Sequence, residues 1–133
     1  MIPVTVNNAQ LDHLTEQAKA SPRLRMNYDQ RNSPGDGSQR MLNAIEPGSP
    51  LLIHRHRLSS ETVVCLRGRL VEEYHDEAGS VVDTVELTRD GPVVALNIPA
   101  GQWHTVRPLE SGSVILEVKD GPYAPLAEED VLR

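Results

Sequence analysis

The stretch that decides the fold runs from residue 51 to residue 70: Leu51-Leu-Ile-His54-Arg-His56-Arg-Leu-Ser-Ser-Glu61-Thr-Val-Val-Cys65-Leu-Arg-Gly68-Arg-Leu70. It contains two short apolar segments separated by turn-forming residues, which is typical of a β-hairpin. His54 and His56 are two residues apart, so on a strand their side chains point to the same face. A tight hairpin would then return Glu61 to the side of these two histidines.

Similar segments continue along the rest of the chain. The eight predicted strands are Arg40–Ile45, Leu51–His56, Thr62–Leu66, Leu70–His75, Val81–Leu87, Val93–Ile98, His104–Val106 and Val114–Val118. Short strands at regular spacing, with no helix between them, predict an antiparallel barrel or sandwich. Upstream, Asn7 and Asn8 offer an N-cap to a short amphipathic helix that ends before Ser21-Pro22. We therefore predict an all-β fold with a short N-terminal helix.

Composition excludes several classes of protein. The chain has 133 residues with a formal charge of −6, and this acidic balance disfavours a nucleic-acid binder. We find no apolar run long enough to span a membrane and no signal peptide. A single cysteine suits a reducing compartment, so we expect a cytoplasmic protein. Lys19 and Lys119 are the only lysines among 13 basic residues; the arginine excess reflects either anionic-ligand binding or a GC-rich genome.

A third histidine completes a set of residues with the chemistry of a metal site. His104 follows Pro99-Ala-Gly101-Gln-Trp103 and would arrive from a distant strand pair. Imidazoles with a carboxylate suit a divalent ion such as Fe, Mn, Zn or Ni. We predict that His54, His56, Glu61 and His104 bind one such ion. The alternative is a polar hairpin plus an unrelated histidine.

The spacing Gly48-x5-His54-x-His56-x4-Glu61-x6-Gly68, followed by Pro99-x-Gly101-x2-His104, resembles the two motifs of the cupin superfamily. The second motif departs from the family pattern, because its leading glycine is displaced to Gly91 and Pro108 occupies the asparagine position. The resemblance implies a jelly-roll (double-stranded β-helix) barrel. It also implies that the four predicted residues are metal ligands inside that barrel.

Longer stretches look like the WbuC family of cupin-fold metalloproteins. They are Gln39-Arg-Met-Leu-Asn-Ala-Ile-Glu-Pro-Gly48, Leu66-Arg-Gly-Arg69, Ile98-Pro-Ala-Gly-x-Trp-His-Thr105 and Glu117-Val-Lys-Asp-Gly-Pro-Tyr123. The chain length predicts a single domain over 1–133, with a helical segment at about 8–20, a barrel at about 38–120 and a tail over 121–133. The resemblance implies that this domain is a cupin. It further implies a homodimer and a link to bacterial surface-polysaccharide metabolism. The chain departs from many relatives at Asn27-Tyr28-Asp29, where they carry a histidine.

Five further residues are candidates for contact with a small-molecule ligand. Arg40 lies on a strand expected to border the cavity, where it would hold an anion or form a structural salt bridge. Trp103 would line the mouth or anchor the packing. Tyr74, Glu117 and Tyr123 are the remaining candidates, each weighed against a purely structural role.

Three functions fit these predictions. The first is a metal-dependent protein that acts on or binds a small anionic or sugar-like ligand, such as a sugar or a carboxylate. The second is an Fe(II)-dependent dioxygenase of small molecules. The third is a non-catalytic, metal-dependent module that binds or senses a carbohydrate.

Overall fold

The computed structural model describes residues 1–133 and contains two five-stranded antiparallel sheets and one α-helix. The elements are α1 (Asn8–Ala20), β1 (Arg25–Asp29), β2 (Ser38–Ile45), β3 (Ile53–His54), β4 (Glu61–Arg67), β5 (Arg69–His75), β6 (Val81–Thr88), β7 (Ala95–Ile98), β8 (Trp103–Pro108), β9 (Ser113–Asp120), the 3-10 helix η1 (Glu128–Asp130) and β10 (Val131–Leu132). The predicted all-β fold with a short N-terminal helix is confirmed.

The two sheets face each other around an apolar core. The first sheet has the order β1-β2-β9-β4-β7, and the second has the order β10-β3-β8-β5-β6. Both sheets contribute to the core cluster, which comprises Ile45, Val63, Cys65, Leu70, Leu87, Ile98 and Ile115. The core is aliphatic because the chain has no phenylalanine. It occupies only part of the space between the sheets, and polar side chains line the rest.

Helix α1 packs on the outer face of the first sheet. The Asn7 side chain caps the helix by accepting a hydrogen bond from the Gln10 amide at 2.9 Å. Leu11 and Leu14 lie on the buried side of the helix, against Leu42 and Val114 of the sheet. Side chains alternate along β2, so Leu42 faces the helix while its neighbour Met41 faces the inside. No helix in the structure could span a lipid bilayer.

All eight predicted strands are present, but two observed strands were not predicted. The first is β1, an edge strand whose residues 27–29 are exposed, so it lacks the apolar alternation that marks a strand in sequence. The second is β10, which has two residues and pairs only with β3. The predicted strand over 51–56 shortens to Ile53–His54.

Gly68 shows why a glycine is needed where β4 turns into β5. Its φ is +75°, a left-handed conformation that favours glycine. A Cβ at this position would also overlap the backbone and side chain of Ser113 on the neighbouring strand. The Ser113 hydroxyl in turn accepts a hydrogen bond from the Arg69 amide at 3.2 Å. This close approach sets the start of β5, which carries Glu72 into the space between the sheets.

Candidate metal centre and ligand cavity

Four side chains predicted from their spacing meet between the two sheets. His54 lies on β3, His56 closely follows that strand, Glu61 begins β4, and His104 lies on β8. Each offers one ligand atom, and these atoms all lie within 4.8 Å of one another. His54 and His104 are paired across β3 and β8. The Gly101 amide also donates to the His56 carbonyl at 2.8 Å, which joins the loop before His104 to the loop after β3.

Backbone carbonyls fix the orientation of two of the imidazole rings. Nδ1 of His54 lies 3.0 Å from the Leu52 carbonyl, and Nδ1 of His104 lies 2.9 Å from the Gln102 carbonyl. Because a carbonyl only accepts hydrogen bonds, both Nδ1 atoms carry the proton. The Nε2 atoms therefore keep their lone pairs, as metal-binding histidines require.

The Glu61 carboxylate provides negative charge for binding a cation in this cluster. Nε2 of His56 and Nε2 of His104 lie 3.5 and 3.4 Å from Oε2 of Glu61. This carboxylate oxygen is buried and has no hydrogen-bond partner. A buried carboxylate oxygen without a partner is costly, and a coordinated cation removes that cost. Neutral imidazoles and a carboxylate together fit a divalent metal ion.

Burial keeps the imidazoles in the neutral form. It lowers the pKa of His54 to about 4 and, together with the charge of Lys119, lowers the pKa of His56 to about 3. The pKa of His104 is also lowered, again mainly by burial. At neutral pH protons therefore do not compete for the ligand nitrogens. His56 differs from the other two histidines, because its Nδ1 lies 3.1 Å from Nζ of Lys119 and not from a carbonyl, so no carbonyl fixes the position of its proton.

A cavity of about 410 Å³ lies beside the cluster, a size typical of small-molecule sites. The first sheet contributes inward-facing residues of β2 and β9, among them Asn43, Glu117 and Lys119. The second sheet contributes Glu72 beside His104 and Val106.

Tail residues 123–126 border the cavity as well. Asp130 anchors the end of this tail by accepting a hydrogen bond from the Arg55 side chain at 3.1 Å.

Two carboxyl groups in the cavity have raised pKa values, which favours their neutral form. Burial, followed by the charge of Glu61 and a hydrogen bond with it, raises the pKa of Glu117 to about 8. Asn43 Nδ2 donates to Oε1 of Glu117 at 3.0 Å. Burial raises the pKa of Glu72 well above its ordinary value, and the neighbouring Glu61 and Glu117 carboxyl groups raise it further. The cavity therefore contains acids that can donate as well as accept hydrogen bonds.

Three cationic side chains line the same cavity without a carboxylate partner. Arg23, Arg25 and Lys119 form no ion pair within 4.0 Å. Burial and the neighbouring Arg23 guanidinium lower the pKa of Arg25, and burial lowers the pKa of Lys119. Cationic side chains that lie together without an ion-pair partner can bind an anion.

One protein-family model matches more than half of the chain. Residues 6–87 match the family described as "Domain of unknown function (DUF6016)". The chain belongs to the DUF6016 family. Among curated proteins, none matches this chain.

Solved structures show that this DUF6016 member has a cupin fold. TT1209 from Thermus thermophilus is similar with a TM-score of 0.62 and 23% identity, over 84% of this chain and 93% of that one. KdgF from Halomonas sp. has a TM-score of 0.59 and 15% identity, over 78% and 83% of the two chains.

A third similar structure comes from a larger protein. Oxalate decarboxylase from Bacillus subtilis, described for its Mn(II) centres, has a TM-score of 0.56 and 19% identity over 82% of the DUF6016 chain. The match covers 27% of the oxalate decarboxylase chain. The fold is therefore shared with proteins whose chains are much longer than this one.

The structure brings two of the five candidate ligand-contact residues to the cavity of this DUF6016 protein. Glu117 lines it between the sheets, and Tyr123 lines its exposed rim. The Arg31 guanidinium lies 5.5 Å from the centre of the Tyr123 ring. Both positions are within reach of a molecule in the cavity.

The other three candidates lie elsewhere. Arg40 forms a salt bridge with Asp36 at 3.0 Å and faces away from the cavity, because its neighbours in β2 take the inward positions. Trp103 is buried, and the Arg55 guanidinium covers it at 4.5 Å from the centre of the Trp103 ring. Tyr74 packs against the apolar core cluster. None of the three lines the cavity.

Sequence reasoning missed Arg25, Asn43, Glu72 and Lys119. Lys119 stands two residues after Glu117, so the two-residue period of a strand would have placed both on one face. Asn43 and Met41 are likewise two residues apart on β2, so the same period places both side chains on one face of the strand. Arg25 lies on the unpredicted strand β1, and no sequence signal identified it.

Proposed function

We propose that this chain is a metal-binding cupin in which His54, His56, Glu61 and His104 hold one divalent ion, and that the adjoining cavity binds a small anionic or sugar-like ligand. The observation that carries the proposal is the convergence of four ligand atoms within 4.8 Å. The unpartnered Glu61 oxygen and the two carbonyl-oriented imidazoles support it. The ion would be Fe, Mn, Zn or Ni, all of which accept these donors.

Charge supports an anionic ligand. Arg25 and Lys119 line the cavity without an ion pair, and a bound divalent ion would add further positive charge. In the metal-free protein, burial raises the pKa of Glu72 and raises that of Glu117 to about 8, which weakens the negative charge of both groups at neutral pH. When bound, a divalent ion supplies Lewis acidity that polarises a carbonyl or hydroxyl oxygen. The chain's own residues would bind and orient the ligand, with Arg25 and Lys119 facing its negative charge.

The WbuC resemblance extends the proposal to biology. It supports a role in bacterial surface-polysaccharide or sugar metabolism, a single cupin domain over 1–133, and a homodimer in the cytoplasm. Metal-containing relatives of the fold exist, since oxalate decarboxylase has Mn(II) centres. Two other interpretations of the site are an Fe(II)-dependent dioxygenase and a module that binds a carbohydrate without turnover.

Metal analysis tests the site. Wild-type protein purified without oxygen should contain about one divalent ion per chain by inductively coupled plasma mass spectrometry. The double variant His54→Ala, His56→Ala should lose this metal and keep a β-rich circular dichroism spectrum. His13→Ala provides the matched control, because His13 is exposed on α1 and distant in sequence from the cluster. Stoichiometric metal in the double variant would contradict the assignment.

The same preparations distinguish the three functions. Tightly bound Fe²⁺ together with oxygen uptake on addition of a substrate would favour the dioxygenase. Zn²⁺ or Mn²⁺ without oxygen uptake would count against it. Thermal shifts with sugars and carboxylates but no conversion would favour the binding module over either enzyme.

A further inference from the structure

Glu72 is a buried carboxyl group that the proposed metal site does not use. It lies on β5, paired with Val106 on one side and Val85 on the other, and only 2% of its surface is exposed. Its side chain lines the cavity, and Oε2 has no hydrogen-bond partner. Burying a polar group without a partner is costly, so such groups are rare in native structures. An apolar side chain would fill this position at lower cost if packing were its only role.

A second buried atom without a partner belongs to Asn43, which lines the same cavity from the other sheet. Asn43 lies on β2, and its amide nitrogen donates to Glu117 at 3.0 Å. The amide oxygen of Asn43 is buried and accepts no hydrogen bond. Asn43 Oδ1 can only accept, and a carboxyl oxygen of Glu72 accepts a hydrogen bond in either protonation state. A hydroxyl group can satisfy either atom, because it donates a hydrogen bond.

On the cationic side of the cavity, a hydrogen-bond donor lacks an acceptor. Nε of Arg25 is buried and donates to no acceptor, and the Arg25 side chain makes no hydrogen bond or ion pair. Its guanidinium lies near the Arg23 guanidinium, which lowers its pKa, and near the Glu117 carboxyl, which raises it. A carboxylate would satisfy a guanidinium in this position through charge-assisted hydrogen bonds.

From these complementary unsatisfied groups we propose that the cavity binds a polyhydroxylated carboxylate, whose hydroxyl groups hydrogen-bond to Glu72 and Asn43 and whose carboxylate lies against Arg25. The inference rests on the proposed function and specifies the ligand class for the same site. Simple aliphatic carboxylates would leave Glu72 and Asn43 unsatisfied, while neutral polyols would leave Arg25 without an anion. A site built around hydroxyl groups rejects analogues that lack them more strongly than an apolar pocket rejects a changed methylene.

Three six-carbon probes separate these requirements. Gluconate has hydroxyl groups and a carboxylate, hexanoate has only the carboxylate, and glucitol has only hydroxyl groups. Isothermal titration of the Zn²⁺-loaded protein at pH 7 should show gluconate binding at least about tenfold more tightly than either of the others, a difference of ~1.4 kcal/mol. Equal affinity for hexanoate would overturn the proposal. Absence of binding at about 10 mM gluconate would also overturn the proposal, because a millimolar Kd would be detected at that concentration. Bound water would then be the partner of Glu72, Asn43 and Arg25.

Variants then test the named residues. Glu72→Met should weaken gluconate binding at least about tenfold, with no change for hexanoate, while Arg25→Met should weaken both carboxylates and leave glucitol unchanged. Glu72→Gln retains a donor and an acceptor and should lose less affinity than Glu72→Met. Glu73→Gln is the matched control, because the neighbouring Glu73 pairs with Arg107 at 3.0 Å outside the cavity. Unchanged gluconate affinity in Glu72→Met would overturn the role of Glu72.

Stability and metal content separate the possible failures. A purely structural Glu72 would destabilise the fold when replaced, whereas a ligand-binding Glu72 predicts a higher melting temperature for ligand-free Glu72→Met. Metal stoichiometry is measured on each sample before and after titration. Wild type without stoichiometric metal would contradict the proposed metal site, yet the comparison of gluconate with hexanoate would still test Glu72, Asn43 and Arg25. Stoichiometric metal without preference for gluconate would contradict only the ligand class.

Discussion

The space between the two sheets is divided into an apolar half and a polar half that share the same strands. Along β9, the inward side chains change from Ile115 in the core to Glu117 and Lys119 in the cavity. Along β5, the change is from Leu70 to Glu72. The apolar half gains stability by excluding water, while the polar half retains buried groups that lack partners. The comparison suggests that stability and function can be altered separately within one strand.

The largest effect on folding is expected in the apolar half. Leu70 is fully buried in the core, so Leu70→Ala should lower the free energy of unfolding by about 2–5 kcal/mol. Denaturant titration measures this change, with Val82→Ala at an exposed position of β6 as the control. The protein that remains folded should contain as much metal as wild type. A parallel loss of metal in the folded fraction would break the separation between the two halves.

The polar half should respond in the opposite way. His104→Ala removes one of four proposed ligands, and we expect the metal affinity to fall on the order of 100-fold or more, about 2.7 kcal/mol. The free energy of unfolding of the metal-free protein should change by much less than for Leu70→Ala. Competition with a chelator measures the affinity, and His13→Ala is the control. An unchanged metal affinity would exclude His104 as a ligand.

Lowering the pH should change the stability of the metal-free protein through the buried titratable groups of the polar half. The pKa of His54 is about 4 in the folded state, below its ordinary value of 6.5, so the unfolded chain binds a proton first as pH falls. His54 therefore contributes a loss of stability between about pH 6.5 and pH 4, and none above that range. Glu72 and Glu117 have raised pKa values and act in the opposite direction as pH falls.

The melting temperature of wild type relative to His54→Leu isolates the histidine from these carboxyl groups. This difference should move in favour of the variant as pH is lowered from about 6.5 to about 4, because leucine takes up no proton. A difference that is constant with pH would show that His54 is not held neutral by burial.

The smallest expected effect is a gain. Glu72→Met replaces an unpartnered buried carboxyl with an apolar side chain of similar size, and we expect the ligand-free protein to be stabilised by about 1 kcal/mol. Denaturant titration beside Glu73→Gln measures this gain. A loss of stability would place Glu72 among the groups that hold the fold together.

Sequence patterns predicted eight of the ten strands and the four clustered side chains. His54, His56 and Glu61 could be identified because a hairpin places them together through local geometry alone, and the distant His104 was placed by its motif. The edge strand β1 could not be predicted, because exposed residues on an edge need no apolar alternation. Arg25 therefore escaped notice.

The cavity lining was harder to predict than the metal cluster. Arg40 was placed on a strand that does border the cavity, but its side chain points to the outer face and pairs with Asp36. Glu72 was missed because a carboxyl group on a strand usually faces solvent. Which inward positions are core and which are cavity depends on how far each strand extends beyond the apolar cluster, and that is set by the packing of both sheets.

Anomalous diffraction from crystals of the Zn²⁺-loaded protein tests the central claim most directly. We predict one strong peak per chain, about 2.0–2.2 Å from Nε2 of His54, His56 and His104 and from a carboxylate oxygen of Glu61. A protein that takes up zinc but shows no peak among these four side chains would contradict the claim.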